Sequence, residues 1–141
     1  MLPETAVYKA FNLNIVLAHV KLYGSGLILH SLWATKYPES RSKMLECLQG
    51  LVDICTHIRK HQHPHLGLVN ITHMMNAIRV ITRELKRPEV RENTSLANSH
   101  YRSIESLLDF LDDTMTLLPA WADVLLTLKV PLIAAADSLS D

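Results

Sequence analysis

The 141-residue sequence predicts an all-α fold, a compact bundle of about five helices with a kinked first helix. Apolar residues recur at spacings of three and four along nearly the whole chain, the signature of amphipathic helices. No Asn-Gly or Asp-Gly turn separates alternating apolar runs, so strand signals are poor. Hydrophobic residues make up 48% and charged residues 20%, an ordinary foldable composition that excludes disordered and collagen-like classes. The length fits a single helical domain spanning residues 1–141, with one sizeable core.

The first segment, residues 4 to 35, places Val7, Phe11, Ile15, Ala18, Leu22, Leu29, Leu32 and Trp33 on a nearly continuous apolar stripe, the face expected to enter the core. Gly24-Ser25-Gly26 interrupts it. A mid-helix glycine costs about 1 kcal/mol relative to alanine, so these mark either a kink or a point where another helix approaches the backbone closely. After Tyr37-Pro38-Glu39-Ser40, a second helix with Ser40 or Ser42 as N-cap turns Met44, Leu45, Leu48, Leu51, Val52, Cys55 and Ile58 inward, until Pro64 and Gly67 stop it. A third, from near Asn70 or Thr72, carries Ile71, Met74, Met75, Ile78, Ile81 and Leu85 and ends at Lys86-Arg87-Pro88. Residues 88 to 99 form the longest polar stretch and read as a mobile loop. A fourth helix, after Asn98 or Ser99, presents Tyr101, Ile104, Leu107, Leu108, Leu111, Met115 and Leu118. Pro119 suits the first turn of a fifth helix, with Trp121, Val124, Leu125 and Leu128 before Pro131.

Fourteen Lys and Arg balance fourteen Asp and Glu, which excludes the strongly basic balance of a dedicated nucleic-acid domain. The basic middle segment also lacks aromatics to stack bases, so no direct nucleic-acid contact is expected. Residues 57 to 91 hold seven Lys and Arg against two Glu, and residues 92 to 141 hold two against eight acids. These read as solvated helix faces that pair weakly. Cys47 and Cys55 lie eight residues apart in one helix, on the order of 12 Å and beyond a disulfide's reach. Two isolated thiols fit a reduced compartment, nucleus or cytoplasm. The Met-Leu-Pro-Glu start lacks the basic region and apolar run of a signal peptide. The most apolar stretch, residues 117 to 136, contains Asp123, Lys129, Pro119 and Pro131 and is expected to be core helix with no membrane association, membrane insertion being the minor alternative.

The run Thr56 to His65 gathers His57, His61, His63 and His65. His57 and His61, four apart, present two imidazoles on one helix face at metal-ligand spacing. A zinc site wants a third fixed ligand and usually an acid nearby, yet Glu and Asp are absent from residues 54 to 83, so the expectation is a polar, proline-broken helix end and no metal. His19, His30 and His73 fall within helices and read as satisfied core residues. No nucleophile elbow, phosphate-cradling loop or His-Glu-x-x-His is present. No cofactor and no catalytic residue are therefore nominated, and the chain is expected not to be an enzyme. Met44, Met74, Met75 and Met115 fit core packing better than an adaptable pocket.

Leu27-Ile28-Leu29-His30-Ser31-Leu32-Trp33 resembles a helix end in the regulatory middle homology region of fungal zinc-cluster transcription factors. Ser42 to Ile58 with Cys47, His65 to Leu85, a variable loop, Tyr101 to Leu118, and Trp121-Ala122 with Leu125 to Leu128 follow in an order similar to that region's later helices. The family's basic segment with six zinc-binding cysteines is missing, as is the earlier half of the region. The resemblance therefore implies a non-catalytic regulatory or ligand-sensing helical domain without DNA binding, a fragment of a larger regulatory region. Its expected partners are a small-molecule effector and a protein partner or second copy. Size and spacing nominate Trp33, Met74, Met75 and Trp121 as ligand-pocket lining. Two other classes stand beside this one: a stand-alone helical adaptor or dimerisation module, and a small histidine-dependent metal-binding protein. Saturating zinc should leave the melting temperature unchanged; a stoichiometric rise abolished by His61→Ala would assign a metal site instead.

Overall fold

The computed structural model describes residues 4–60, 66–117 and 119–121, then 123, 126–127, 129–131, 133–134 and 137. Among them all regular structure is helical: α1 (Glu4–Trp33), α2 (Pro38–Lys60), α3 (Leu66–Leu85), α4 (Pro88–Arg91), α5 (Thr94–Leu117) and a 3-10 turn at Pro119–Trp121. The all-α class is thus as the spacing indicated. The chain divides into two compact units, Met1–Ile54 and Cys55–Asp141, with the boundary inside α2.

The first unit is built on an antiparallel pairing of α1 with the start of α2. α1 runs unbroken through Gly24-Ser25-Gly26, and the glycine signal reports close approach: a Cβ on Gly26 would sit 2.7 Å from Cys47 Sγ. The reciprocal contact lies one helical repeat away, where a Cβ on Gly50 would sit 2.8 Å from the Tyr23 ring. Position 26 meets 47 and position 23 meets 50, so the helices run in opposite directions. Close packing of this kind needs a residue without a side chain on one wall. The Trp33 carbonyl accepts from the Lys36 and Tyr37 amides at 3.0 and 2.9 Å, closing α1 with one tight turn. Pro38 then opens α2 at a position whose amide has no helical partner. Tyr37, not Ser40 or Ser42, occupies the cap, its carbonyl accepting from the Arg41 amide at 3.2 Å.

In the second unit α3 packs along α5, and α4 contacts both. The buried residues include Met74, Ile78, Ile81 and Leu85 of α3 and Ile104, Leu107, Phe110 and Leu111 of α5. α3 starts at Leu66, several residues before Asn70. The loop expected at 88 to 99 is largely helical. Pro88 starts α4, whose Val90 is fully buried. The Asn93 side-chain oxygen accepts from the Leu96 amide at 3.1 Å, so α5 begins at Thr94 rather than after Asn98. That oxygen satisfies one of the free donors of the first turn, the ordinary work of an N-cap asparagine. Several buried polar groups are matched within their own stretch of chain. Thr82 and Thr114 hydroxyls donate to carbonyls four residues back at 2.8 and 3.0 Å, and the buried Glu84 carboxylate accepts from Arg87 Nε at 2.8 Å. Lys129, nearly buried, pairs with Asp112.

Gly50→Ala should destabilise the protein by about 1–3 kcal/mol in urea unfolding despite alanine's better helix propensity, because the new methyl overpacks against Tyr23. In a double-mutant cycle with Tyr23→Ala most of that loss should disappear.

Candidate functional site

The four residues nominated as pocket lining are divided between the two units. Trp33 ends α1 in the first unit and is 49% exposed, its ring 6.0 Å from that of Tyr37. Met74 and Met75 are buried in α3, where Met74 Sδ accepts from the Cys55 thiol at 2.9 Å. These two act as core thioethers, filling space beside a small polarizable neighbour. Trp121 belongs to the 3-10 turn, and its side chain lies outside the described residues. The described lining of an open cleft of about 420 Å³ is Asp112, Met115, Thr116, Asp123 and Leu126, and Trp33, Met74 and Met75 are not part of it.

Of the histidine cluster, His57 is exposed on α2, while His61, His63 and His65 lie outside the described residues. No group of three metal-ligating side chains occurs among the described residues. His19 corrects an expectation: it is exposed, with Nδ1 2.8 Å from the Ile15 carbonyl, rather than a core residue. His30 and His73 are half-buried. The opposed charges find partners inside the second unit, where Arg59 reaches Asp113 at 2.6 Å and Asp109 at 3.3 Å on α5. All three side chains are substantially exposed, so the cluster contributes little stability.

The unusual surface lies on α1, and it corrects the reading of that helix. Of the stripe expected to enter the core, the described part faces out: Leu22 is 67% and Leu32 70% exposed, Ile15, Ala18, Leu29 and Trp33 are exposed with them, and the side chains of Val7 and Phe11 lie outside the described residues. The buried side is instead Val20, Gly24, Leu27 and, just past the helix, Ala34. The misassignment has a physical cause. From Asn14 to Trp33 only Lys21 is charged, so α1 is apolar around its circumference and periodicity alone does not say which side is covered. Helices of that kind are buried ones as a rule. The same 20 residues are long and apolar enough to cross a membrane by length and composition. Isolated exposed leucines are unremarkable, but a contiguous row of large apolar side chains marks a surface that another body covers.

No protein-family model, curated protein or solved structure matches this chain.

The two thiols differ in burial and therefore in chemistry. Burial pushes the Cys55 thiol up to about 12 from its ordinary 9.0. Partial burial, then the nearby Glu46 carboxylate, raises Cys47, with Lys43 opposing. A group whose pKa is raised by folding contributes stability below its unfolded value and loses it as pH climbs toward the folded one. Stability should therefore fall between about pH 9 and 12 by a component that vanishes in Cys55→Ala, seen as a shallower alkaline limb in urea midpoints. An alkylating reagent at pH 8 should label Cys47 well before Cys55.

Proposed function

We propose that this chain is a non-catalytic helical regulatory domain of the fungal zinc-cluster transcription-factor type, without the DNA-binding segment, that works by covering and uncovering an apolar helix face. The observation that carries the reading is the outward row Ile15, Leu22, Leu29, Leu32 and Trp33 on α1. A helix seated firmly on α2 by one side, with its other apolar side left over, is a two-sided connector. Its inner contact fixes it in the fold and its outer contact is free for a second surface.

The family part of the proposal rests on the sequence resemblance alone. The elements that carry it are helical: Leu27 to Trp33 closes α1, Cys47 lies in α2, Tyr101 lies in α5, and Trp121 sits in the turn that follows. The small-molecule effector belongs to the same proposal as the event that shifts the balance between covered and uncovered α1. Its effect is limited to its differential affinity for the two states.

Fused to an unrelated DNA-binding domain in yeast, the chain should change reporter transcription at least about threefold relative to that domain alone, and Leu22→Glu with Leu29→Glu should return the signal to baseline. A reporter indifferent to the fused chain would overturn the regulatory reading.

A further inference from the structure

The buried apolar rows of the described helices share one spacing. In α2 it is Met44, Leu48, Leu51, Cys55 and Ile58, and in α3 it is Met74, Ile78, Ile81 and Leu85. Steps of four and three average 3.5 residues, the repeat that lets two helices stay in contact over many turns at a shallow crossing angle. α1 carries this spacing twice. Its inner row is Val20, Gly24, Leu27 and Ala34. Its outer row is Ile15, Ala18, Leu22, Ser25, Leu29 and Leu32, every member exposed. The outer row has the register of a helix–helix seam and stands exposed.

We infer that the outer row of α1 is a homodimer seam, occupied by the same row of a second copy running antiparallel. This rests on reading that face as an interaction surface and names its partner. The alternation of size along the row sets the direction. About a two-fold axis passing between residues 23 and 24, Leu22 faces Ser25, Ala18 faces Leu29, and Ile15 faces Leu32, so each small residue receives a large one. A parallel, in-register pair would stack Ser25 on Ser25 and Leu22 on Leu22, giving alternately thin and thick layers that helices of constant radius do not accommodate. An isologous interface of this kind uses one patch on both copies, which a two-fold axis provides. Charge sets no obstacle, because Lys21, the lone charge of residues 14 to 33, lies beside the row and faces no copy of itself.

The four large members of the row, Ile15, Leu22, Leu29 and Leu32, are between 38% and 70% exposed, so each copy offers on the order of 500 Å² of mainly apolar surface, a modest dimer contact beside the roughly 800 Å² per partner of a standard interface. A lipid bilayer fits worse. The inner side of the same helix is held on α2 at Gly26–Cys47 and Tyr23–Gly50, and α2 carries the exposed charges Glu39, Lys43, Glu46 and Asp53. To span, α1 would have to abandon those contacts or draw the charges into hydrocarbon.

Sedimentation equilibrium of the full chain across the micromolar range should give twice the 15.9 kDa chain mass. Leu22→Glu and Leu29→Glu, both at exposed positions, should weaken association at least about tenfold each with unchanged helical circular dichroism. Mixing Leu22→Cys chains with Ser25→Cys chains under mild oxidation should yield a 22–25 cross-link in peptide mapping, while Ser25→Cys alone should cross-link poorly. A monomer throughout, association indifferent to both glutamates, efficient Ser25→Cys self-linkage, or α1-dependent binding of the monomer to phosphatidylcholine vesicles would each overturn the antiparallel seam. A monomer that still moved the reporter would leave the regulatory reading standing with another protein as partner.

Discussion

Helix-on-helix contact is the constraint on which the described structure rests. Without strands, the apolar side chains leave water only where one helix lies along another, and the 3.5-residue rows of α2 and α3 are the sequence's record of that requirement. The requirement is most severe at the pairing of α1 with α2. There, two glycines on opposite helices each receive a neighbour's side chain, so the backbones approach closer than any other residue would permit. Exchanging the partner across the pair, Gly26 beneath Cys47 and Tyr23 over Gly50, fixes direction and register together. A one-residue slip would drive the Tyr23 ring against a side-chain-bearing neighbour of Gly50.

The second unit meets the same constraint with a different difficulty, polar groups that share its interior. Several are answered close at hand: the Thr82 and Thr114 hydroxyls return to their own helix, and Glu84 is held by a residue three positions away. Such local answers cost little ordering entropy, since the partners are already fixed near one another in the chain. Others reach across: the Cys55 thiol of α2 rests on the Met74 thioether of α3, and Lys129 pairs with Asp112 of α5. Arg59 with its two aspartates also reaches across to α5, at the surface where water shares the charge.

How much of this was legible depended on whether a helix was amphipathic. α2, α3 and α5 have one apolar side each, and most of the described residues read as inward, Met44, Leu48, Ile78 and Leu107 among them, are buried, while Leu45, Ile71, Tyr101, Leu108 and Met115 are half-buried. α1 has two apolar sides, so the spacing rule returned two answers and the longer row was taken for the core. Gly50 was not singled out because nothing near it in sequence distinguishes a packing glycine from a tolerated one; its meaning lies in Tyr23, 27 positions earlier. The segment at 88 to 99 looked like a loop because it is polar. Polarity, however, reports exposure and not conformation, and Pro88 and Asn93 carry the helix-starting signals that composition hides. For Met74 and Met75, both buried in α3, side-chain size does not separate a core thioether from one that lines a cavity.

The two-sided apolarity of α1 has a consequence during synthesis. α1 leaves the ribosome before the helix that covers its inner side, and at about 5–20 residues per second the stretch through Lys60 takes a few seconds to follow. For that interval a 20-residue, nearly uncharged helix is bare on every side, the very profile that chaperones and membrane-targeting machinery recognise in nascent chains. The seating of Tyr23 on Gly50 is one of the contacts that ends that exposure. A substitution that merely delays that contact would be felt as misdirection or aggregation of new protein, even if the finished molecule were scarcely less stable.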